Sequence, residues 1–175
     1  MINIGLIGYG YWGPNLARNF SESEATNLKY ICDFDEEKLK RAKGRYPAVE
    51  VTSDITTVLK DPDITGVAIA TPVSTHHPLA LEALRAGKHI LVKKPLAETH
   101  AKALEILEEA EKRNLQVMVD HTFPYTGAVR KMKELVESGD LGEIYYYDSI
   151  RVNLGLFQRD VSVIWDLAVH DVSII

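Results

Sequence analysis

Two groups of residues in this sequence have types and spacings that suit chemistry. The first is the glycine-rich stretch Gly8-Tyr9-Gly10-Tyr11-Trp12-Gly13, which follows an apolar run at residues 2–7. The second is Asp166 and His170, which lie four residues apart near the end of the sequence. Glycines between a strand and a helix allow a phosphate to approach the backbone. A histidine beside a carboxylate can accept a proton near neutral pH.

The glycine-rich stretch has the order expected of a dinucleotide site. Gly8 allows the tight turn, Gly10 has no Cβ to obstruct a pyrophosphate, and Gly13 lets the helix pack on the strand. Pro14 suits a first helical turn. Asp33 follows Gly13 by 20 residues, the separation at which a carboxylate meets the adenosine ribose hydroxyls. Because a carboxylate repels a 2′-phosphate, we predict NAD as the cofactor and NADP as less favoured; the alternative is an ordinary glycine turn.

The second group suggests oxidation of an alcohol. On a helix, Asp166 and His170 share one face, so the carboxylate can orient the ring. Lys94 follows a predicted strand, where its ammonium could hold a hydroxyl or stabilise an oxyanion. Together the three could remove a hydroxyl proton while a nicotinamide takes the hydride from the same carbon. The alternatives are a surface Asp–His pair and a simple loop lysine.

Composition limits the classes of protein to consider. The 175 residues are 46% hydrophobic and 26% charged, with a net charge of −5, so a globular chain is predicted and nucleic acid is not expected as a partner. No apolar run is long enough for a membrane span, and the sequence begins with a strand rather than a secretory leader. The single cysteine, Cys32, cannot form an internal disulfide, and a cytoplasmic location is predicted.

The alternation of strands and helices predicts an α/β fold with a doubly wound parallel sheet. Predicted strands cover residues 2–7, 28–32, 49–51, 64–70, 89–92 and 115–119, and predicted helices cover 14–20, 35–45, 78–86 and 99–113, with a short one reaching residue 59. A ligand should bind outside the carboxyl ends of these strands. Those ends carry Gly8, Asp33, Thr71, Lys94 and Asp120.

The pattern changes after residue 121, and two domains are predicted: a Rossmann domain over residues 1–121 and the start of an α+β domain over 122–175. In the second domain we predict a helix over 126–137 and a strand of a different, antiparallel sheet over 143–153. A loop at 154–160 and an amphipathic segment at 163–175 follow.

Several motifs resemble the Gfo/Idh/MocA family, the NAD(P)-dependent sugar oxidoreductases that include glucose-fructose oxidoreductase and inositol dehydrogenase. The matching motifs are Gly8-Tyr9-Gly10-Tyr11-Trp12-Gly13, Ala70-Thr71-Pro72 with Thr75-His76, residues 86–92, Lys94-Pro95-Leu96-Ala97, residues 139–144 and residues 166–171. With Arg151-Val152-Asn153-Leu154-Gly155, the last motif looks most like the branch that oxidises the 3-hydroxyl of UDP-linked amino sugars or sugar acids.

The resemblance implies roles for individual residues. It implies a catalytic set of Lys94, Asp166 and His170, and a candidate cis peptide before Pro95. A sugar or sugar-nucleotide substrate is expected. No metal is expected, because His76, His121 and His170 fit no short ligand motif. The expected cofactor contacts are Gly8, Gly10, Tyr11, Trp12, Gly13, Asp33, Thr71, Pro72, His76 and Lys94.

Two departures from the family pattern leave alternatives open. The family's Glu-Lys-Pro motif has Lys93 in place of glutamate, which should repel the ammonium of Lys94 or disturb the nicotinamide pocket. The sequence is also shorter than the family, so a truncated second domain with a lone strand is expected, and homo-oligomers would complete its sheet. The alternatives are a catalytically impaired dinucleotide-binding or regulatory protein, and a structural partner of a full-length paralogue.

Overall fold

A computed structural model describes residues 1–151 and 161–175 of the chain. The predicted loop at 154–160 and the last two residues of the predicted strand at 143–153 lie outside these ranges. The described residues form two compact units, Met1–Asp120 and His121–Ile175.

The first unit contains a six-stranded parallel sheet. The strands are β1 (Ile2–Ile7), β2 (Thr26–Cys32), β3 (Glu50–Thr52), β4 (Gly66–Ile69), β5 (His89–Lys93) and β6 (Val117–Asp120). Their order across the sheet is β3-β2-β1-β4-β5-β6, and every pairing is parallel. This order places a topological switch point between β1 and β4, where ligands of doubly wound sheets bind. The predicted fold class is therefore confirmed.

Helices connect the strands of this sheet. They are α1 (Gly13–Glu22), α2 (Glu36–Arg45), α3 (Ile55–Lys60), α4 (His76–Arg85) and α5 (His100–Arg113). Asp35 caps α2 by accepting bonds from the backbone N–H groups of Glu37 and Lys38. The hydroxyl of Thr99 accepts from the N–H of Lys102 and caps α5. These side chains satisfy donors that a helix leaves open in its first turn.

The central strand β4 is buried on both faces of the sheet. All four residues of β4 are buried. Val67 and Ile69 pack into one hydrophobic cluster, whereas Ala68 packs into a second cluster on the other face of the sheet. Alternate burial on both faces explains why the central strands are continuously apolar in sequence.

The second unit contains α6 (Gly127–Glu137), a π-helical turn (Ile164–Ala168) and α7 (Val169–Val172). The predicted strand at 143–153 is wrong for its described part, because residues 143–151 belong to no strand. An alternating pattern indicates a strand only where a neighbour supplies backbone partners. In the described ranges, no helix has the length and apolar character needed to cross a bilayer.

Candidate functional site

The glycine-rich turn after β1 has its three glycines in different environments. Gly8 has a φ of +95°, and a Cβ there would lie 2.6 Å from the carbonyl oxygen of Ala70. A Cβ on Gly13 would lie 2.4 Å from the carbonyl oxygen of Gly8. At Gly10, by contrast, an added Cβ would meet no described atom within 4 Å. The fold itself therefore requires Gly8 and Gly13, whereas the space beside Gly10 is open to a ligand.

The start of α1 suits a negatively charged ligand. Pro14 lies in its first turn, which contains no acidic residue, and no side chain caps its N-terminus among the described contacts. The N-terminus of a helix carries partial positive charge and backbone donors that favour phosphate. The aromatic side chains of Tyr11 and Trp12, which precede the helix, are exposed and pack edge to face.

Asp33 joins the end of β2 to the glycine-rich turn. Its Oδ2 accepts a 2.7 Å bond from the backbone N–H of Tyr9, and its Oδ1 accepts a 2.9 Å bond from the N–H of Asp35. The ammonium of Lys38 lies 3.4 Å from Oδ1. Because a carboxylate has about four acceptor positions, these three contacts leave about one position for a ribose hydroxyl. The side chain is only 11% exposed, so its orientation is fixed before any ligand binds.

His76 connects the ends of β4 and β5. The ring is 1% exposed, with Nδ1 2.9 Å from the carbonyl oxygen of Pro95 and Nε2 2.9 Å from that of Thr71. The Lys94–Pro95 peptide is cis, as the sequence comparison with the family predicted. The hydroxyl of Thr75 donates to the carbonyl of Pro72 or to the Thr71 hydroxyl, with oxygen distances of 2.7 and 2.6 Å. Through His76, the segment after β4 and the segment that carries Lys94 are held together.

Lys93 occupies a defined position at the same edge of the sheet. Its Nζ lies 2.6 Å from Oδ2 of Asp120 and 4.1 Å from the centroid of the Trp12 ring. Lys93 is 8% exposed. From the sequence, Lys93 is expected to repel the ammonium of Lys94 or to disturb the nicotinamide pocket. In the structure its charge has a carboxylate partner and an aromatic face. Its proximity to Asp120 follows from the parallel register that pairs the two residues across β5 and β6.

The second unit carries the other two predicted catalytic residues. Asp166 lies in the π-helical turn, and His170 lies in α7. The His170 ring packs edge to face on Phe123, with centroids 4.7 Å apart. Single π-helical turns are often found at functional sites. Within this unit, Asp166 and His170 thus lie on adjoining turns of one helical segment, while Lys94 belongs to the first unit.

Sequence reasoning missed a polar cluster around Asp171. Nε of Arg151 donates to Oδ2 of Asp171 at 2.7 Å, and the hydroxyl of Ser149 donates to Oδ1 at 2.7 Å. The bond from Arg151, and to a smaller extent that from Ser149, holds the pKa of the Asp171 carboxyl below its usual value. Cζ of Arg151 also lies 4.7 Å from the Phe123 ring centroid. Arg151 and Phe123 are distant in sequence, so only the side-chain types hinted at this arrangement.

The described residues contain no group of three histidine, cysteine, aspartate or glutamate side chains arranged to hold a metal ion. All of the residues expected to contact the cofactor belong to the first unit. They lie in the turn after β1, directly after β2, β4 and β5, and at the first residue of α4: Gly8, Gly10, Tyr11, Trp12, Gly13, Asp33, Thr71, Pro72, His76 and Lys94.

Comparison with known proteins places this arrangement in context. The sequence profile of the Gfo/Idh/MocA group, described as an oxidoreductase family with an NAD-binding Rossmann fold, matches residues 2–121. The oxidoreductase YdgJ of Escherichia coli K12 is 36% identical over 149 residues, which are 85% of this chain and 42% of that protein.

Two further similarities extend beyond the sheet. The levoglucosan dehydrogenase of Pseudarthrobacter phenanthrenivorans is 33% identical over 151 residues, covering 82% of this chain and 39% of that protein. The crystal structure of an oxidoreductase from Klebsiella pneumoniae superimposes with a TM-score of 0.84 at 31% identity, covering 99% of this chain and 49% of that one. The chain thus spans about half, or less, of the length of these proteins.

Proposed function

The chain belongs to the Gfo/Idh/MocA oxidoreductase family, whose sequence profile matches residues 2–121, and we propose that it is an NAD-dependent dehydrogenase that acts on a sugar or sugar nucleotide. The proposed reaction oxidises a secondary hydroxyl to a ketone. The hydride leaves the carbon for the nicotinamide, and the hydroxyl proton leaves for a side chain of the protein.

One observation supports this proposal more than any other. The glycine-rich turn, with open space beside Gly10, lies next to an Asp33 carboxylate that is already oriented by two backbone N–H groups. The residues present therefore fit a dinucleotide, with its diphosphate at the start of α1 and its adenosine ribose at Asp33. NAD would supply the hydride acceptor of the reaction.

The protein's own side chains would handle the proton and the alcohol oxygen. We assign His170 as the base that takes the hydroxyl proton, and Asp166 as the carboxylate that orients its ring. We assign Lys94 to the alcohol oxygen, where its ammonium would position the hydroxyl and stabilise negative charge as the proton leaves. Thr71 and Pro72 would line the nicotinamide side, at the end of β4 that His76 fixes.

The substrate class rests on similarity and on motif. A relative at 33% identity is a levoglucosan dehydrogenase. The stretch from Arg151 to residue 155, followed by the motif at residues 166–171, favours the branch that acts on the 3-hydroxyl of UDP-linked amino sugars or sugar acids. A sugar nucleotide is therefore the first substrate class to test, and a free polyol such as inositol is the second.

A second candidate function is a dinucleotide-binding regulator without catalysis. The observation that favours it is Lys93, which replaces the glutamate of the family motif beside Lys94. This candidate predicts NADH binding without turnover of any alcohol.

The cofactor assignment is tested by fluorescence titration of the chain with NADH and, separately, NADPH. Tighter binding of NADH is expected, because Asp33 would meet the 2′-phosphate of NADPH with a negative charge. Equal or tighter binding of NADPH would contradict the role of Asp33. Absence of binding by either nucleotide would remove the cofactor site and the proposed reaction with it.

The catalytic assignment is tested by comparing the parent with a His170→Ala variant. Both proteins are assayed with a set of sugar nucleotides and a set of free polyols as substrates. Turnover, followed as NADH formation at 340 nm, should fall by about 100-fold or more when the base is lost, while the NADH dissociation constant stays unchanged. His100→Ala is the matched control, because His100 is an exposed histidine of α5. A variant that loses NADH affinity, or keeps its turnover, would overturn the role of His170.

A further inference from the structure

Lys93 is the residue at which the chain departs most clearly from the family motif, and its surroundings indicate a role. The ammonium lies between two partners, the Asp120 carboxylate at 2.6 Å and the Trp12 ring at 4.1 Å. Trp12 belongs to the glycine-rich turn after β1, whereas Asp120 ends β6 at one side of the sheet. A single side chain therefore connects the turn to the last residues of β5 and β6.

The surroundings of position 93 favour a positively charged side chain over a negatively charged one. An indole face attracts cations through its negative quadrupole, and Asp120 attracts the same ammonium. A glutamate at position 93 would place a second carboxylate beside Asp120 and a negative charge on the indole face. Both contacts would then be repulsive, so the family's residue does not suit the neighbours that this chain presents.

Burial makes the arrangement energetically significant. The Lys93 side chain is 9% exposed and that of Asp120 is 20% exposed, so water screens their attraction much less than it would on the surface. The contact to Trp12 also involves a largely desolvated cation, the situation in which cation–π attraction is strongest. Removal of either charge would leave the other one buried without its partner.

We propose that Lys93 and Asp120 act as a unit that positions Trp12, and with it the glycine-rich turn, for dinucleotide binding. Lys93 is thus a positioning residue that substitutes for the family's glutamate. This inference rests on the cofactor site in the proposed function and does not depend on the substrate or on turnover. It also removes the main argument for a damaged enzyme, since the added charge is compensated.

The first readout needs no nucleotide. Trp12 and Trp165 are the two tryptophans, so in a Trp165→Phe background the fluorescence reports Trp12 alone. Lys93→Met keeps most of the side chain without its charge, and Asp120→Asn is nearly isosteric. In both variants we expect higher acrylamide quenching and lower anisotropy of Trp12 than in the parent, because the indole has lost its support.

The second readout is NADH affinity, measured in the same background. We expect the dissociation constant to rise about tenfold in Lys93→Met, in Asp120→Asn and in Lys93→Glu, the size expected for a desolvated cation–π contact. The exchange Lys93→Glu with Asp120→Lys restores an ion pair and should recover part of the affinity. The matched control is Lys29→Met, since Lys29 also pairs with two carboxylates, those of Asp61 and Asp63, and lies over a Tyr30 ring.

The outcomes separate this inference from the proposed function. Unchanged Trp12 quenching and NADH affinity in Asp120→Asn would overturn the positioning role, as would tighter NADH binding in Lys93→Glu. If Lys93→Met fails to fold, as judged by circular dichroism, Asp120→Asn decides the question. Failure of every tested sugar to react would affect the proposed function and leave this inference standing, because neither readout requires turnover.

Discussion

At the scale of single residues, Gly10 and Gly13 allow ligand binding and folding to be separated. An alanine at position 10 meets open space, whereas one at position 13 would place its Cβ 2.4 Å from the Gly8 carbonyl oxygen. We expect Gly10→Ala to change the free energy of unfolding by less than about 0.5 kcal/mol. Its NADH affinity should nevertheless fall about tenfold or more, or by about 1.4 kcal/mol, because the methyl group occupies the path of the pyrophosphate.

Gly13→Ala is the matched comparison for this prediction. It should lower the free energy of unfolding by about 1–3 kcal/mol through overpacking between α1 and the glycine-rich turn. Urea unfolding and NADH titration measure both variants. A Gly10→Ala variant that binds NADH as the parent does would show that the diphosphate does not approach this part of the turn.

Cys32 provides a prediction about pH at the same scale. Burial, with smaller contributions from the Asp33 and Asp54 charges, raises the pKa of its thiol from 9.0 to about 11. A raised folded-state pKa stabilises the fold fully below pH 9, and this stabilisation is lost as pH rises towards 11. Its size is about 2–3 kcal/mol at about 1.4 kcal/mol for each pH unit.

The measurement is the free energy of unfolding between pH 8 and pH 11 for the parent and for Cys32→Ala. Burial also raises the pKa of Tyr9 and Tyr30, and both residues are present in parent and variant. The informative quantity is therefore the difference between the stability losses of the two proteins. The parent should lose more stability than the variant across this interval. Parallel curves would mean that the thiol ionises equally well in both states.

At the scale of elements, the cap of α5 gives a prediction about stability alone. The Thr99 hydroxyl accepts from the N–H of Lys102 at the first turn of this helix. Thr99→Ala should cost about 1 kcal/mol and lower the melting temperature by about 2–4 °C. Thr99→Ser keeps the acceptor oxygen and serves as the control. Equal melting temperatures for the two variants would show that the cap contributes nothing measurable.

The elements also show what the sequence could reveal and what it could not. Periodicity and caps placed every strand and helix of the first unit within a few residues, because each buries a periodic apolar face against the same sheet. Glycine spacing and strand order then located Gly8 and Asp33 at one edge. The pair of Lys93 and Asp120 escaped notice because it depends on the register of β5 with β6, a nonlocal quantity.

The predicted strand at 143–153 failed for a related reason. Alternating apolar and polar residues suit a β-strand. A strand forms, however, only where a neighbouring strand accepts its backbone hydrogen bonds, and the local sequence pattern does not show whether such a neighbour exists. In the described part of the second unit, residues 143–151 pair with no strand. Ile144, Tyr145, Tyr146, Tyr147 and Ile150 are correspondingly exposed.

At the scale of the whole molecule, these exposed residues lead us to propose association with a second copy of the chain. A segment that exposes apolar side chains and pairs with no strand in the described residues offers a surface on which a strand of a second copy could pack. Ile150, at 78% exposure, lies in the segment 143–151. We expect the parent to sediment as an oligomer at micromolar concentration, and Ile150→Lys to sediment closer to a monomer, because a buried ammonium in the interface would be unpaired.

The control for this prediction is Leu107→Lys, which changes an exposed apolar residue of α5 in the first unit. It should leave the sedimentation behaviour of the parent unchanged. Both variants should keep the NADH affinity of the parent. Gly10 and Asp33 belong to the unit Met1–Asp120, and each substitution replaces an exposed side chain, so neither should strain that unit. A parent chain that sediments as a monomer at micromolar concentration would contradict association through residues 143–151, and the exposed tyrosines would then need another explanation.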